Sequence, residues 1–567
     1  MSLPLVYSAT GAELPYVYFT GSPLNGHAPL VVQFTNYTNP AAVAALDSPV
    51  WLWEFGDGEI SSEFSPQHTY MLPGKYSVKC TLMAEGRKSR RKRLKYVGVK
   101  PAVDKGLVSW STYFGGANGS TDTWDTAVDG DGNLVVAGGT YADDLPTTTG
   151  AYDKSYNGDY DIFVAKFSAV DGTLMWATYI GDDAYQDAEG LLVLDSGEII
   201  VSGYSRDAFP APSTTTIGTG FADTGNIVML SLSADGATIN KTLFFGGESG
   251  ETSWERNRVG LDSVGNFVIT GITSSTQFPV TSGAYQTQKA AYNDVFVAKV
   301  SSDLDEILWA TYLGGAESEM GKSVAIDADE AVYVTGSTYS GDFPTTEGAY
   351  DRAHGGDRDG FVTKLTADGS ALVYSTLIGG SSRDWLWDIA ITDDKEAIVS
   401  GFSHSTDLAL PPGGYRTRHH GVSDILVCKL SADGSALTAA TFLGGKGDDF
   451  SVGMAIDGAG NVWLSGGTTS TYFPRTTPTF QSKFQGGAVD CFVSALDSSL
   501  GTLVFSTFLG GRGYDLDGHI SVDADGNPLV AGITDSPDFP TTAGAPQPDY
   551  PGAQSIFVTK FDVQALK

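Results

Sequence analysis

Cysteine is scarce. Three stand in 567 residues, Cys80, Cys428 and Cys491, far apart and without CxxC or Cys/His metal spacing. That excludes a disulfide framework and leaves buried free thiols as the reading. The seven His are scattered, and the adjacent His419 and His420 cannot face one metal from a strand, so no metal or cofactor is expected. Basic residues number 34 against 67 acidic ones, a formal net charge of -33. So negative a field argues against nucleic acid and against anionic membrane surfaces as partners. No apolar run is long enough to cross a bilayer, and the opening MSLPLVYSATGAELP has neither a basic n-region nor an apolar h-region, so no signal peptide is visible. GxSxG, HExxH, P-loop and triad spacings are all missing. With no nucleophile beside an identifiable base, the expectation is a protein that is not an enzyme.

What is abundant is glycine, 70 residues, with 24 prolines, in a sequence that is not of low complexity. That composition fits an all-β protein rich in tight turns. Near-copies of one heptamer recur: WSTYFGG at Trp110, WATYIG at Trp176, KTLFFGG at Lys241, WATYLGG at Trp309, YSTLIGG at Tyr374, AATFLGG at Ala439 and FSTFLGG at Phe505. Their spacing is 66, 65, 68, 65, 65 and 66 residues. Each unit holds four strand-like runs, with hairpin signals such as DGDGN at Asp129 and DADGN at Asp523. After Asp517 the last unit supplies three strands, ending at Ser555 to Phe561, while an unused fourth strand, Gly106 to Phe114, precedes the first unit. A ring closed by pairing those two segments leaves no open edge. The fold class expected is all-β: a seven-bladed propeller of four-stranded blades over 106–567 with a three-plus-one seam, preceded by an arm (1–14), a β-sandwich (15–100) and a linker (101–105).

Two resemblances follow from quotable strings. WEFGDG from Trp53, SPQHTY from Ser65 and PGKYSVKCTL from Pro73 stand in the order of the PKD domain, and the segment resembles that Ig-like sandwich over its whole length. The YLGG, DxxGN and FPTTxGAY elements are similar to the bacterial SBBP propeller repeat. Both resemblances imply an exported or surface protein.

Candidate sites come from the loops that enter each blade. Acids recur there, Asp122, Asp187, Glu319, Asp384, Asp449 and Asp515, and aromatics crowd them unevenly. A carboxylate ring that binds ligand and a set of Asx-type turns are both open readings, and repetition favours the turns. The ligand-binding candidates are Trp254, Trp385, Arg383, Asp187, Asp384, Asp449 and Asp515. DxDGN lacks the further acids of a calcium loop and reads as a hairpin turn. The Lys of the third strands (Lys166, Lys299, Lys364, Lys560) is expected to pair with the Asp ending the first (Asp129, Asp262, Asp327, Asp523). Arg87, Lys88, Arg90, Arg91, Lys92, Arg93 and Lys95 form a basic run in the last sandwich hairpin, a docking candidate for an acidic surface.

The expected function is display and recognition: a sandwich stem and a propeller head that binds surface glycans or proteins of a larger assembly. The missing export signal points to a virion appendage, with a secreted adhesin and a polysaccharide-cleaving propeller as alternatives.

Overall fold

Alternation of apolar and polar residues along short runs builds the chain almost wholly from strands. The computed structural model describes residues 14–27, 30–70, 74–100, 106–207, 211–218, 225–252, 258–290 and 292–563. The expected arm and linker fall almost wholly outside them. The chain divides into two units, Met1–Asp104 and Lys105–Lys567. Among the described residues no helix is long and apolar enough to cross a membrane.

The first unit is a two-sheet sandwich. One sheet orders Phe19–Ser22, Leu30–Asn36 and Gln67–Tyr70; the other centres on the hairpin of Gly74–Ala84 with Arg87–Lys100, flanked by Val50–Glu54. Trp53, Phe55, Tyr70, Val78, Cys80 and Leu82 fill the space between the sheets. The GDG turn takes positive φ at Gly56 and Gly58 (95° and 105°), and His68 ties the turn down through Asp57 at 2.6 Å.

The second unit forms seven sheets among the described residues, numbered here as blades 1 to 7. Blade 4 is representative: Glu319–Ile326 innermost, then Val332–Thr338, Asp359–Leu365 and Leu372–Ile378, all antiparallel. In blade 2, Thr214–Gly218 adds a parallel edge strand outside Ile239–Gly246. The third strands of blades 1, 4 and 6 are buried from end to end because neighbouring blades cover both faces. Apolar clusters join blade 1 to 2, 2 to 3, 3 to 4, 4 to 5 and 5 to 6. Another cluster joins blade 7 to blade 1 and closes the ring. Blade 7 is completed by Val108–Phe114, which pairs with Ser555–Phe561 from Phe561↔Val108 to Ile556↔Phe114.

The repeat signature has a packing reason at each letter. The Trp of WATY donates its indole N–H to the third-to-fourth turn of the next blade: Trp110 to Ala169 O (3.2 Å), Trp176 to Ala234 O (3.1 Å), Trp309 to Ala367 O (3.0 Å). The Tyr instead ties down the excursion that follows the second strand of its own blade, Tyr179 donating to Ala142 O at 2.8 Å and Tyr312 to Ser275 O at 2.9 Å. Cys80, Cys428 and Cys491 are buried free thiols.

Candidate functional site

The fourth strands end, and the inner strands begin, at one mouth of the ring. The first inner-strand residues are Thr121, Gln186, Glu251, Glu319, Asp384, Asp449 and Asp515. Asp384, Asp449 and Asp515 accept the backbone N–H of Gly380 (2.8 Å), Gly445 (2.7 Å) and Gly511 (2.7 Å). They also accept the hydroxyls of Ser405, Ser470 and Ser536 at 2.7, 2.8 and 2.8 Å. All three are buried, so these ligand candidates are instead acceptors for their own loops. Asp187 does not belong to this ring. Gln186 holds the equivalent position, and Asp187 pairs with Tyr204 one step further on.

Gln186 and each ring acid meet a second polar residue, the first of a third strand: Asp161, Asn226, Asp294, Asp359, Asp424 or Asp490. The pairs meet over the first glycine of the GG signature. A Cβ on Gly444 would lie 2.3 Å from Asp424 Oδ1 and 2.9 Å from Asp449 Oδ2; one on Gly445 would lie 2.6 Å from Ser470 Cβ. Burial pushes these carboxyls up: Asp490 to about 8, Glu251 and Glu319 to about 7, Asp359, Asp449 and Asp515 to about 6.

Around the ring, the residue just before each inner strand hydrogen-bonds through its carbonyl to the residue after the second strand. Ser120 and Tyr141, Tyr185 and Arg206, Ser318 and Tyr339, Arg383 and His404, and Tyr514 and Asp535 are such partners. The scaffold repeats here, and the side chains do not. Blades 1 and 2 gather tyrosines about acids. Tyr160 stacks on Tyr185 with centroids 4.8 Å apart, Tyr141 lies 4.5 Å from Tyr160, and the Arg206 guanidinium covers Tyr185 at 5.1 Å. Tyr160 donates its hydroxyl to Asp122 at 3.0 Å, and the Gln554 amide donates to the same carboxyl. Burial, then the charges of Glu189 and Asp122, hold the Asp187 carboxyl well above the usual range; burial also raises Asp122.

Blades 4 and 5 carry a second group. Trp385 is half-buried and stacks on Phe402 at 4.7 Å, with the Arg358 guanidinium over it. Arg383 is exposed and paired with Asp357 at 2.7 Å. Trp254 lies outside the described residues. The aligned repeat columns could have revealed Tyr160, Tyr339 and Arg358, because those columns vary while their flanks do not.

Deeper in the channel the inner strands of blades 1, 2, 4, 5, 6 and 7 carry a register shift, and the residues there also differ between blades. Arg258 of blade 3 reaches Asp388 of blade 5 (3.3 Å) and donates to the carbonyl of Met454 in blade 6 (2.6 Å). Asp388 also accepts from Ser323 Oγ and Met454 N, each at 3.0 Å. Lys322 lies 4.7 Å over Trp387. The ring therefore carries charged links across its channel.

The expected Lys–Asp pairs form in blades 1, 3, 4 and 7 at 2.7, 2.7, 2.7 and 2.8 Å. The DxDGN carboxylates also accept turn N–H groups, as Asp129 does from Asp131 and Asn133 at 2.9 and 2.8 Å.

In the sandwich the basic run splits by strand parity. Arg93 lies over Tyr18, Phe19 and Tyr96 at 5.6, 5.4 and 4.6 Å, and Arg91 over Tyr16 at 5.6 Å. Arg87 pairs with Glu85. Arg91 and Arg93 are committed to the fold and drop out as docking residues, while Arg87 stays partly exposed in its surface pair. Lys88, Arg90, Lys92 and Lys95 are exposed.

An Ig-like sandwich followed by a closed propeller with an unrepeated mouth is the class this geometry defines. Residues 31–96 match the family model of the PKD domain, and residues 308–344 match that of the beta-propeller repeat, SBBP. These two matched segments agree with the resemblances read from the sequence. No curated protein matches it. Among solved structures it is similar to a protein of unknown function from Bacteroides thetaiotaomicron, with 11% identity, 96% and 98% of the two chains covered, and a TM-score of 0.29. It is also similar to the quinohemoprotein alcohol dehydrogenase of Comamonas testosteroni, with 10% identity, 81% and 77% covered, and a TM-score of 0.38. A third is a gluconolactonase of Xanthomonas campestris, with 12% identity, 64% and 90% covered, and a TM-score of 0.27. At such values no reaction carries over. Even so, the expectation of a non-enzyme is corrected. Similar structures include enzymes, and the acids Asp122, Asp187 and Glu189 gather at the mouth.

Proposed function

We propose that the propeller mouth is a recognition face for a hydroxyl-rich ligand, a surface glycan foremost, and that the PKD domain is its stem. The observation that carries this is the tyrosine and acid group of blades 1 and 2. Tyr141 is 45% exposed beside half-buried Tyr185, with Asp122 and Asp187 next to them. Flat rings stack on sugar C–H faces, and carboxyls take the hydroxyls. Display on a virion or a bacterial surface belongs to this reading and rests on the kind of modules present. Exposed Lys88, Arg90 and Lys92 would dock the stem to an acidic partner in the assembly.

The test is binding of the full chain to immobilised glycans, with Tyr141→Ala and Tyr185→Ala as variants. Each should weaken binding by tenfold or more while melting is unchanged, and unaltered binding by both would count against the reading. A second reading is favoured by the Asp187 and Asp122 carboxyls, which burial holds above the usual carboxylate range: such an upward shift is what a general acid for glycoside cleavage uses. Release of new reducing ends from a bound glycan would decide for it.

A further inference from the structure

Arg358 is a buried cation in a strongly acidic chain, and it has no carboxylate at ion-pair distance among the described residues. It is 6% exposed and stands just before the third strand of blade 4. Its guanidinium carbon lies 4.0 Å over the Tyr339 ring and 4.7 Å over Trp385. One terminal nitrogen donates to the Tyr339 hydroxyl, the other reaches Met320 Sδ at 3.7 Å, and Nε is buried without a partner. The adjacent Asp357 is engaged with Arg383. Burial lowers the affinity of the guanidinium for its proton. Burying an uncompensated charge is costly.

The fold does not require arginine at this position. Tyr160 and Ser423 hold the same place in blades 1 and 5, each forming the equivalent bridge to the next blade, as Arg358 does with Arg383. Beside it opens a depression lined by Glu317, Ser318, Tyr339, His354, Gly356 and Asp357. Tyr339 joins the two: its oxygen accepts from Arg358, so its own proton is free to be donated to a ligand acceptor.

We propose that the mouth over blades 4 and 5 is an anion-binding site in which Arg358 and Tyr339 take a carboxylate or sulfate group, the chemistry of acidic sugars. A planar guanidinium fixed over two rings is preorganised for such a group, and a low-dielectric setting strengthens the contact. Glu317 at the lining takes hydroxyls of the same ligand. The site stands apart from the tyrosine group of blades 1 and 2.

The test uses the full chain with glucuronate, sodium sulfate and glucose at constant ionic strength, read by calorimetric titration and by melting temperature. Glucuronate or sulfate should bind and raise the melting temperature, and glucose should not. Preference for glucuronate assigns the carboxylate, and preference for sulfate the sulfate ester. Arg358→Met should weaken anion binding by at least tenfold, and so should Tyr339→Phe, which keeps the ring in place should the first variant fold poorly. Tyr185→Ala should leave anion binding intact, which separates this site from the other group. No anion binding beyond that of glucose, or binding retained in either variant that folds, would overturn the proposal.

Discussion

Asp490→Asn should make the propeller more stable at alkaline pH. Asp490 lies beside Asp515 where blades 6 and 7 meet, and both are fully buried. One Asp490 oxygen accepts from Gln485 N at 2.6 Å, while Oδ1 has no donor. Burial raises the group from 3.8 to about 8. A raised carboxyl contributes stability that is fully present below about pH 4 and is lost as pH climbs through the folded value. At about 1.4 kcal/mol per pH unit, four units give on the order of 5 kcal/mol lost by pH 9. The remaining charge of Asp515 and local relaxation reduce what one substitution recovers to about 2 kcal/mol. The junction of blades 2 and 3 already carries the amide form of this pair, Asn226 beside Glu251, so the substitution fits the site. Calorimetry from pH 5 to 9 should show the parent melting lower as pH rises, with a shallower slope and a higher melting temperature for the variant above pH 7. A variant less stable than the parent at pH 8, or an unchanged slope, would refute the reasoning.

Three further outcomes are expected. Deleting residues 1–114 should destabilise the ring severely and deleting 1–100 should not, because Val108–Phe114 completes blade 7; equal melting of the two truncations would contradict the seam. Arg258→Met should destabilise by taking one cation away from buried Asp388, by about 3 kcal/mol, and Asp388→Asn in the same chain should restore part of the loss, as urea unfolding would reveal. Replacing Lys88, Arg90 and Lys92 by Gln should leave the melting temperature within about a degree, whereas Arg93→Gln should lower it through loss of its three ring contacts.

The architecture was legible because each blade must solve the same packing problem with the same letters. Trp309 caps the next blade's turn and Gly444 clears a carboxyl pair, so WATYLGG repeats with them. The structural role of Asp384, Asp449 and Asp515 was foreshadowed by that same repetition. Asp187 was misplaced because acidity was followed instead of register; Gln186 does the work of an acid there without being one. Arg358 was invisible for a different reason. A lone arginine in a loop reads as solvated, and its burial depends on Tyr339, 19 residues earlier, and Trp385, 27 residues later. The parity of Arg91 and Arg93 was readable, but the aromatic residues they cover come from strands distant in sequence.

The central claim is that recognition lives in the unrepeated side chains of the mouth, and footprinting tests it most directly. The full chain would be labelled by hydroxyl radicals alone and with a glycan found to bind it. The account predicts protection at Tyr141 and Tyr185, or at Tyr339 and Trp385, with the outer fourth strands unchanged. Protection confined to the Lys88–Lys92 strand of the sandwich, with every mouth residue labelled as before, would contradict it.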